Sequence, residues 1–211
     1  MKIYKKVIVI ILAILMATNT TIPIFAAEND SAKEEIVYIM SNADGTVKNI
    51  NVVNIFDDGN ISDYGDYSSV KILNTTDKIN QKGNKITFSS SAKKVYYQGT
   101  LKNKEIPWNI SIKYFLDNKE YTAKEIAGKS GALEIRISIT KNEKCNDSYF
   151  NDYALQATFL LDTNLCNNIK ANGATIANVG ADKQLLYTIL PQKGLETSIY
   201  TDVKNFEMEP V

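Results

Sequence analysis

The stretch Pro107-Trp108-Asn109-Ile110-Ser111-Ile112-Lys113-Tyr114-Phe115-Leu116 decides the fold, together with Leu133-Glu134-Ile135-Arg136-Ile137-Ser138-Ile139-Thr140. In the first run Trp108, Ile110, Ile112, Tyr114 and Leu116 alternate with Asn109, Ser111, Lys113 and Phe115. In the second, Leu133, Ile135, Ile137 and Ile139 point one way, and Glu134, Arg136, Ser138 and Thr140 the other. A period of two marks strands with one face in a core. Between them Asp117-Asn118-Lys119 has turn chemistry. Thr122-Ala123-Lys124-Glu125 reads as a capping box opening one helical turn, and Gly128 suits the left-handed stop. This strand, turn, short helix, strand pattern belongs to a β-sandwich.

Outward from that centre, more strands are legible. Glu35 to Met40 and Thr46 to Phe56 form a hairpin through Asn42-Ala43-Asp44-Gly45, with Gly45 suited to a left-handed loop position. Asp57 to Ser69 reads as a polar loop, and Val70 to Gln81 shows no clear period. Lys85 to Phe88 and Lys94 to Leu101 give another pair. Downstream, Lys141 to Asp152 reads as a polar loop. Leu155, Ala157, Phe159 and Leu161 mark the inward side of a strand, and Ala174 to Val179 a short one. Leu185 to Leu190 is a strand stopped by Pro191-Gln192-Lys193-Gly194, and Leu195, Thr197, Ile199, Thr201 and Val203 alternate again. The expectation is an all-β chain: an immunoglobulin-like β-sandwich over 107–211, preceded by a smaller hairpin-rich module over 28–106.

Residues 1–27 read as a secretory signal peptide. Lys2, Lys5 and Lys6 precede the apolar run Val7 to Ala17, with a break at Pro23 before Phe25-Ala26-Ala27. The apolar run is about half the ~20 residues of a spanning helix. An uncleaved N-terminal anchor is the alternative. The expected location is outside the cell or on the outer face of its envelope. The whole chain balances 24 basic against 24 acidic groups. The leader carries three lysines and no acid, so a mature chain of roughly 185 residues has a charge of −3. A weakly acidic surface with Arg136 as its single arginine argues against nucleic-acid binding. Asn, Lys, Ile and Tyr enrichment is what an AT-rich bacterial genome produces.

The chain contains no histidine. That removes the commonest general base, Ser-His-Asp and Cys-His nucleophilic sites, and most zinc sites. Carboxylate-only hydrolysis remains open as a function, but no pair of acids stands out and no catalytic residue, metal or cofactor is assigned. Asp58 to Asp66 places oxygens at alternate positions like the start of a calcium loop. Its sixth position, Asp63, lacks the glycine of an EF-hand, and Ser69 stands where glutamate closes one. Cys145 and Cys166 flank one strand. Two states stay open: a disulfide worth roughly 3 kcal/mol, or free thiols, since a ten-residue strand separates its ends by roughly 30 Å. Tyr64, Tyr67, Tyr97 and Trp108 are the candidate ligand-binding residues, as an aromatic platform for sugar rings. Core packing is the commoner use of strand aromatics.

Asp63-Tyr64-Gly65-Asp66-Tyr67, Tyr96-Tyr97-Gln98-Gly99, Pro107-Trp108-Asn109-Ile110-Ser111-Ile112 and Ala127-Gly128-Lys129-Ser130-Gly131 resemble one known extracellular region. Asn151-Asp152-Tyr153-Ala154-Leu155-Gln156 and Gly173-Ala174-Thr175-Ile176-Ala177-Asn178 extend the likeness. The region is the N-terminal ectodomain of Gram-positive membrane proteins related to the YhgE/Pip (phage infection protein) group. Longer members continue into Leu/Gly heptad repeats and a membrane-spanning C-terminus, whereas this chain stops at Glu209-Pro210-Val211. The resemblance implies a truncated member or a released ectodomain, and it transfers no catalytic residue. The expected function is an exported, non-catalytic envelope ectodomain making surface or protein–protein contacts. The expected partner is an envelope protein or a wall polymer, with membrane attachment only through an uncleaved N-terminus or a missing C-terminal region. A wall- or carbohydrate-binding module is the second reading, and a carboxylate wall hydrolase the third.

Overall fold

A computed structural model describes residues 9–14, 33–57 and 59–206 of the chain. In chain order the strands are β1 (Val9–Ile14), β2 (Lys33–Ser41), β3 (Val47–Phe56), β4 (Asn60–Tyr64), β5 (Tyr67–Ile72), β6 (Asn80–Lys82), β7 (Lys85–Ser89) and β8 (Val95–Leu101). There follow β9 (Trp108–Leu116), β10 (Lys119–Tyr121), helix α1 (Ala123–Ile126), β11 (Gly131–Lys141), helix α2 (Asp147–Asp152) and β12 (Ala154–Asp162). The last four strands are β13 (Cys166–Ala171), β14 (Thr175–Val179), β15 (Asp182–Ile189) and β16 (Leu195–Val203). The chain is all-β, built from antiparallel sheets in a sandwich-like arrangement. The described residues divide into two compact units: those within Ala13–Tyr38 and Asn49–Lys104, and those within Met1–Leu12, Ile39–Lys48 and Glu105–Val211.

In the larger, C-terminal unit, five strands run in the order β10-β9-β11-β16-β13, and β14, β15 and β12 lie side by side. β11 is the centre. It pairs with β9 from Leu133↔Leu116 to Lys141↔Trp108, and with β16 from Gly131↔Val203 to Ile139↔Leu195. Leu133, Ile135, Ile137 and Ile139 are each buried, as are Ile112, Tyr114 and Leu116 of β9 and Ile199 and Val203 of β16. From β12 and β15 come buried Leu155, Ala157, Phe159, Leu161, Leu185, Tyr187 and Ile189. Alternation has placed every one of these side chains, because successive residues of a strand face opposite ways.

The connection between β9 and β11 is built as its sequence dictates. Asp117 and Asn118 take φ of 49° and 67°, the left-handed pair of a two-residue hairpin turn that suits the twist of its strands. The Asp117 carboxylate accepts the Ala132 amide at 3.0 Å, which ties the turn to the start of β11. Thr122 caps α1 by accepting the Glu125 amide, and Glu125 accepts the Thr122 amide at 2.9 Å in return. Gly128 ends the turn at φ 77°, and its amide meets the Phe206 carbonyl at 2.6 Å. The tip of the β2–β3 hairpin belongs to this unit. The Tyr114 hydroxyl donates to the Ala43 carbonyl at 2.6 Å, and the Ile112 amide to that of Asp44 at 2.9 Å.

In the N-terminal unit β3 pairs with β8, and β8 with β5, while β4, β7 and β6 form a separate three-stranded sheet. Tyr97 is wholly buried at the centre of the core. It stacks on Phe56 at 6.1 Å and meets Tyr67 and Phe88 edge-on at 6.4 and 5.8 Å.

Five segments differ from the sequence reading. Asp57 to Ser69 holds β4 and the start of β5 rather than one polar loop, because Ile61 and Tyr67 reach the core from otherwise polar strands. Residues 80–82 form β6, and residues 166–171 form β13, whose polar Asn167, Asn168 and Lys170 hid it. Residues 147–152 form α2 behind an Asn146 cap that accepts the Ser148 amide. Of the expected leader, Val9–Ile14 is a sheet strand rather than lying outside the fold. Its run of β-branched residues favours an extended backbone as much as it favours membrane targeting. The rest of residues 1–27 lies outside the described residues.

Ile137→Ala should cost about 2–5 kcal/mol, because it opens a cavity at a fully enclosed site on the central strand. Exposed Thr140→Ala on the same strand should stay within about 0.5 kcal/mol. Urea unfolding of the two variants checks the pair, and equal costs would contradict the inward–outward assignment of β11.

Candidate functional site: an outward sheet face

The side of β9, β11 and β16 that faces away from the core carries a fixed set of polar and aromatic groups. Cross-strand register lines up Phe115, Glu134 and Tyr200 in one row, and Lys113, Arg136 and Ser198 in the next. The Arg136 guanidinium grips the Glu134 carboxylate with both arms, Nε to Oε1 and Nη2 to Oε2, each at 2.9 Å. It also lies over the Phe115 ring, 3.8 Å from its centroid. Glu134 Oε1 accepts two further bonds, from the Ser198 hydroxyl at 2.8 Å and from Tyr200 at 3.2 Å. The next row adds a hydrogen bond from Ser138 to Glu196, and Lys113 pairs with Glu120 at 3.2 Å.

Tyr200 stands 48 % exposed on this face, with an open depression on either side. One, of about 630 Å³, is lined by Phe115, Glu134, Asn168, Lys170 and Asp202. The other, of about 740 Å³, is lined by Lys113, Arg136, Ser138, Glu196 and Ser198. Bidentate contact fixes the arginine plane, and stacking on Phe115 holds its position. The face therefore presents Arg and Tyr already ordered, so less side-chain freedom is lost when it is covered.

The electrostatics of Glu134 do not suit proton transfer. The Arg136 hydrogen bonds outweigh partial burial, and with help from Ser198 and Tyr200 they lower the Glu134 carboxyl to about 2. A general acid or base works best near the operating pH, so this carboxylate is poised the wrong way. Two other acids serve turns and caps. Asp44 accepts the Thr46 amide at 2.9 Å and its hydroxyl at 2.7 Å, and Glu125 closes the α1 capping box. Among the described residues no group of three or more Cys, Asp or Glu is placed to hold a metal ion.

The tyrosines and tryptophan read as a platform are not brought together. Tyr67, Tyr97 and Trp108 are 4 %, 0 % and 5 % exposed. They are core residues, and no sugar ring can stack on them. The reason is strand phase: Val95, Tyr97 and Gly99 are the inward positions of β8. The Tyr67 ring fills the space that Gly65 and Gly99 leave open, where an added Cβ would lie 2.1 and 2.5 Å from it. Only Tyr64 is exposed, with Lys85 Nζ 5.9 Å from its ring centroid.

The stretch read against a calcium loop is structural too. Asp63 accepts from Tyr97 and forms an ion pair with Lys33 at 2.8 Å, and Lys33 also meets Glu35 at 2.7 Å. Burial pulls the Lys33 ammonium down, but its bonds to Asp63 and Glu35 prevail and its pKa is raised. Burial and the bond to Asp63 raise Tyr97. Asp66 pairs with Lys102 at 2.6 Å.

Cys145 and Cys166 are free thiols with different surroundings, so the disulfide alternative is not realised. Cys145 donates to the Ile106 carbonyl at 3.2 Å. Cys166 is buried opposite Val203 on β13, and burial pushes its thiol up to about 11.

No family model, no curated protein and no solved structure matches the chain. No helix among the described residues is long and apolar enough to cross a membrane.

Two predictions test this geometry. A carboxyl NMR titration should place Glu134 near 2, and Arg136→Met should move its midpoint toward the ordinary ~4.3. Because the folded value is depressed, the linked stability is present above the ordinary value and disappears as pH falls toward 2. An unchanged midpoint in the variant would remove Arg136 as the cause. Thiol labelling of the native protein should modify Cys145 alone, with Cys166 reacting only after denaturation. A mass loss of two hydrogens without reductant would show a disulfide instead.

Proposed function

We propose that the chain is an exported, non-catalytic cell-envelope ectodomain, and that the outward face of β9, β11 and β16 makes its protein–protein contacts. The observation that carries the reading is the Phe115–Arg136–Glu134–Tyr200 constellation, which holds an arginine and a tyrosine rigid between two depressions. Arg and Tyr are the residue types most enriched where interfaces concentrate their energy. The basic and apolar leader supports export. The likeness to YhgE/Pip-related ectodomains of Gram-positive bacteria supports the placement at the envelope. The sugar-platform reading loses its basis with the burial of Tyr67, Tyr97 and Trp108. The carboxylate-hydrolase reading gains no support from Glu134, whose carboxyl Arg136 holds low.

The test uses the purified chain immobilised against solubilised envelope of its host. A specifically retained protein should lose at least tenfold in affinity with Arg136→Ala or Tyr200→Ala, since truncating such a residue costs about 2 kcal/mol or more. Thr140→Ala, on the same strand, should have no effect. Equal retention by all three variants refutes this face as the contact. Retention of wall glycan instead of protein refutes the class of partner.

A further inference from the structure

Free sheet edges in the C-terminal unit are handled in two ways. β10 is three residues long and carries Lys119 and Glu120. β13 carries Lys170, and its ladder is interrupted between Asn167 and Lys170, with Asn168 at φ 53°. Short length, charge and irregularity are how proteins keep edges from pairing. β14 has none of these. Thr175-Ile176-Ala177-Asn178-Val179 is uncharged, every residue is exposed, and its register with β15 runs unbroken from Thr175↔Leu186 to Val179↔Asp182. Ile176 and Val179 are 45 % and 48 % exposed.

We propose that β14 pairs antiparallel with β14 of a second copy of this chain, about a two-fold axis at Ala177. The register follows from the hairpin. Gly180-Ala181 is a two-residue turn, with Gly180 at φ 62°, so Val179 and Asp182 form its hydrogen-bonded closing pair. By alternation Val179, Ala177 and Thr175 direct their backbone groups to β15, whereas Asn178 and Ile176 direct theirs outward. A two-fold at Ala177 sets Ile176 opposite Asn178 of the second copy, so the outward groups exchange both of their bonds. It sets Ala177 opposite itself, at the non-hydrogen-bonded position where chains approach most closely and a small side chain fits. Thr175 faces Val179, a favourable β-branched pair.

The self-complementary register points to the second copy as occupant. No row of the paired register opposes like charges. Lys183 is held to Asn178 at 3.1 Å, and its row continues into Ile176 and Leu185 of the second copy. Asp182 lies in the row of Val179, which continues into Thr175 and Leu186. An isologous pair of this kind closes after two copies and leaves no growing edge at β14.

Sedimentation equilibrium of the full chain should show a monomer–dimer equilibrium, and Ala177→Lys should shift it at least tenfold toward monomer by placing like charges on the axis. The Ala177 side chain is exposed, so the circular dichroism and unfolding of that variant should match the parent. In a Cys145→Ser background, Ala177→Cys should cross-link into a covalent dimer under mild oxidation, and Thr175→Cys, which faces Val179, should not. A monomer at every concentration overturns the proposal. So does association indifferent to Ala177→Lys, or equal cross-linking by both cysteine variants. A wild-type chain that stays monomeric while binding an extended peptide at β14 overturns the choice of occupant.

Discussion

The C-terminal unit depends on the register of one strand. β11 is paired on both sides, so its alternation fixes what β9 and β16 show to the core and what they show to solvent. A slip of one residue would turn Leu133, Ile135, Ile137 and Ile139 outward and bring Glu134 and Arg136 in. That exchange replaces aliphatic burial with unsatisfied charge, and it is why half-buried strands hold their register strongly. The Asp117 carboxylate on the Ala132 amide pins the same register from the turn. There the chain also approaches closely: a Cβ on Gly131 would lie 2.6 Å from Asp117 Oδ2.

The same constraint that makes the core makes the display. Glu134 and Arg136 are two apart on one strand and so share a face, but their other partners come from strands distant in sequence. Phe115 is brought opposite Glu134 by β9, and Tyr200 by β16. An arginine–glutamate pair exposed by itself contributes little. Here the carboxylate also accepts from Ser198 and Tyr200, and the guanidinium rests on an aromatic ring, so the group is tied across three strands. Its value lies in order rather than stability.

This division explains what was legible in the sequence. The alternating runs gave β9, β11, β12 and β16 with their inward residues, and turn and cap chemistry gave Asp117-Asn118, Thr122–Glu125 and Gly128. These signals are local, and burial on one face makes them strong. β4, β5, β6 and β13 were illegible because few of their residues reach a core and the rest are polar; Asn167, Asn168 and Lys170 leave β13 without an alternating apolar pattern. Outward Glu134 and Arg136 were readable, but their union with Phe115, Ser198 and Tyr200 was not, because cross-strand register is set by the whole sheet. For the aromatics the error was one of phase. Tyr97 lies two residues from Val95 and from Gly99, and the glycine at 99, together with Gly65, was the signal that a ring occupies the space beside it.

The N-terminal unit shows how polar groups can be absorbed without becoming a site. Tyr97 lies among Phe56, Phe88 and Tyr67, yet its hydroxyl reaches Asp63, whose charge is met by Lys33. Asn54, wholly buried, donates to the Tyr67 hydroxyl at 3.2 Å and to the Val52 carbonyl at 3.4 Å. Each buried polar atom named here is satisfied by a neighbour, which is the condition for tolerating it inside a core. In a network closed in this way the polar groups are committed to one another. On the outward face of β11, Arg136 and Tyr200 keep exposed surface after their internal bonds are made. The contrast between a closed network and an open one is the physical ground for proposing recognition at the outward face rather than at the tyrosine core.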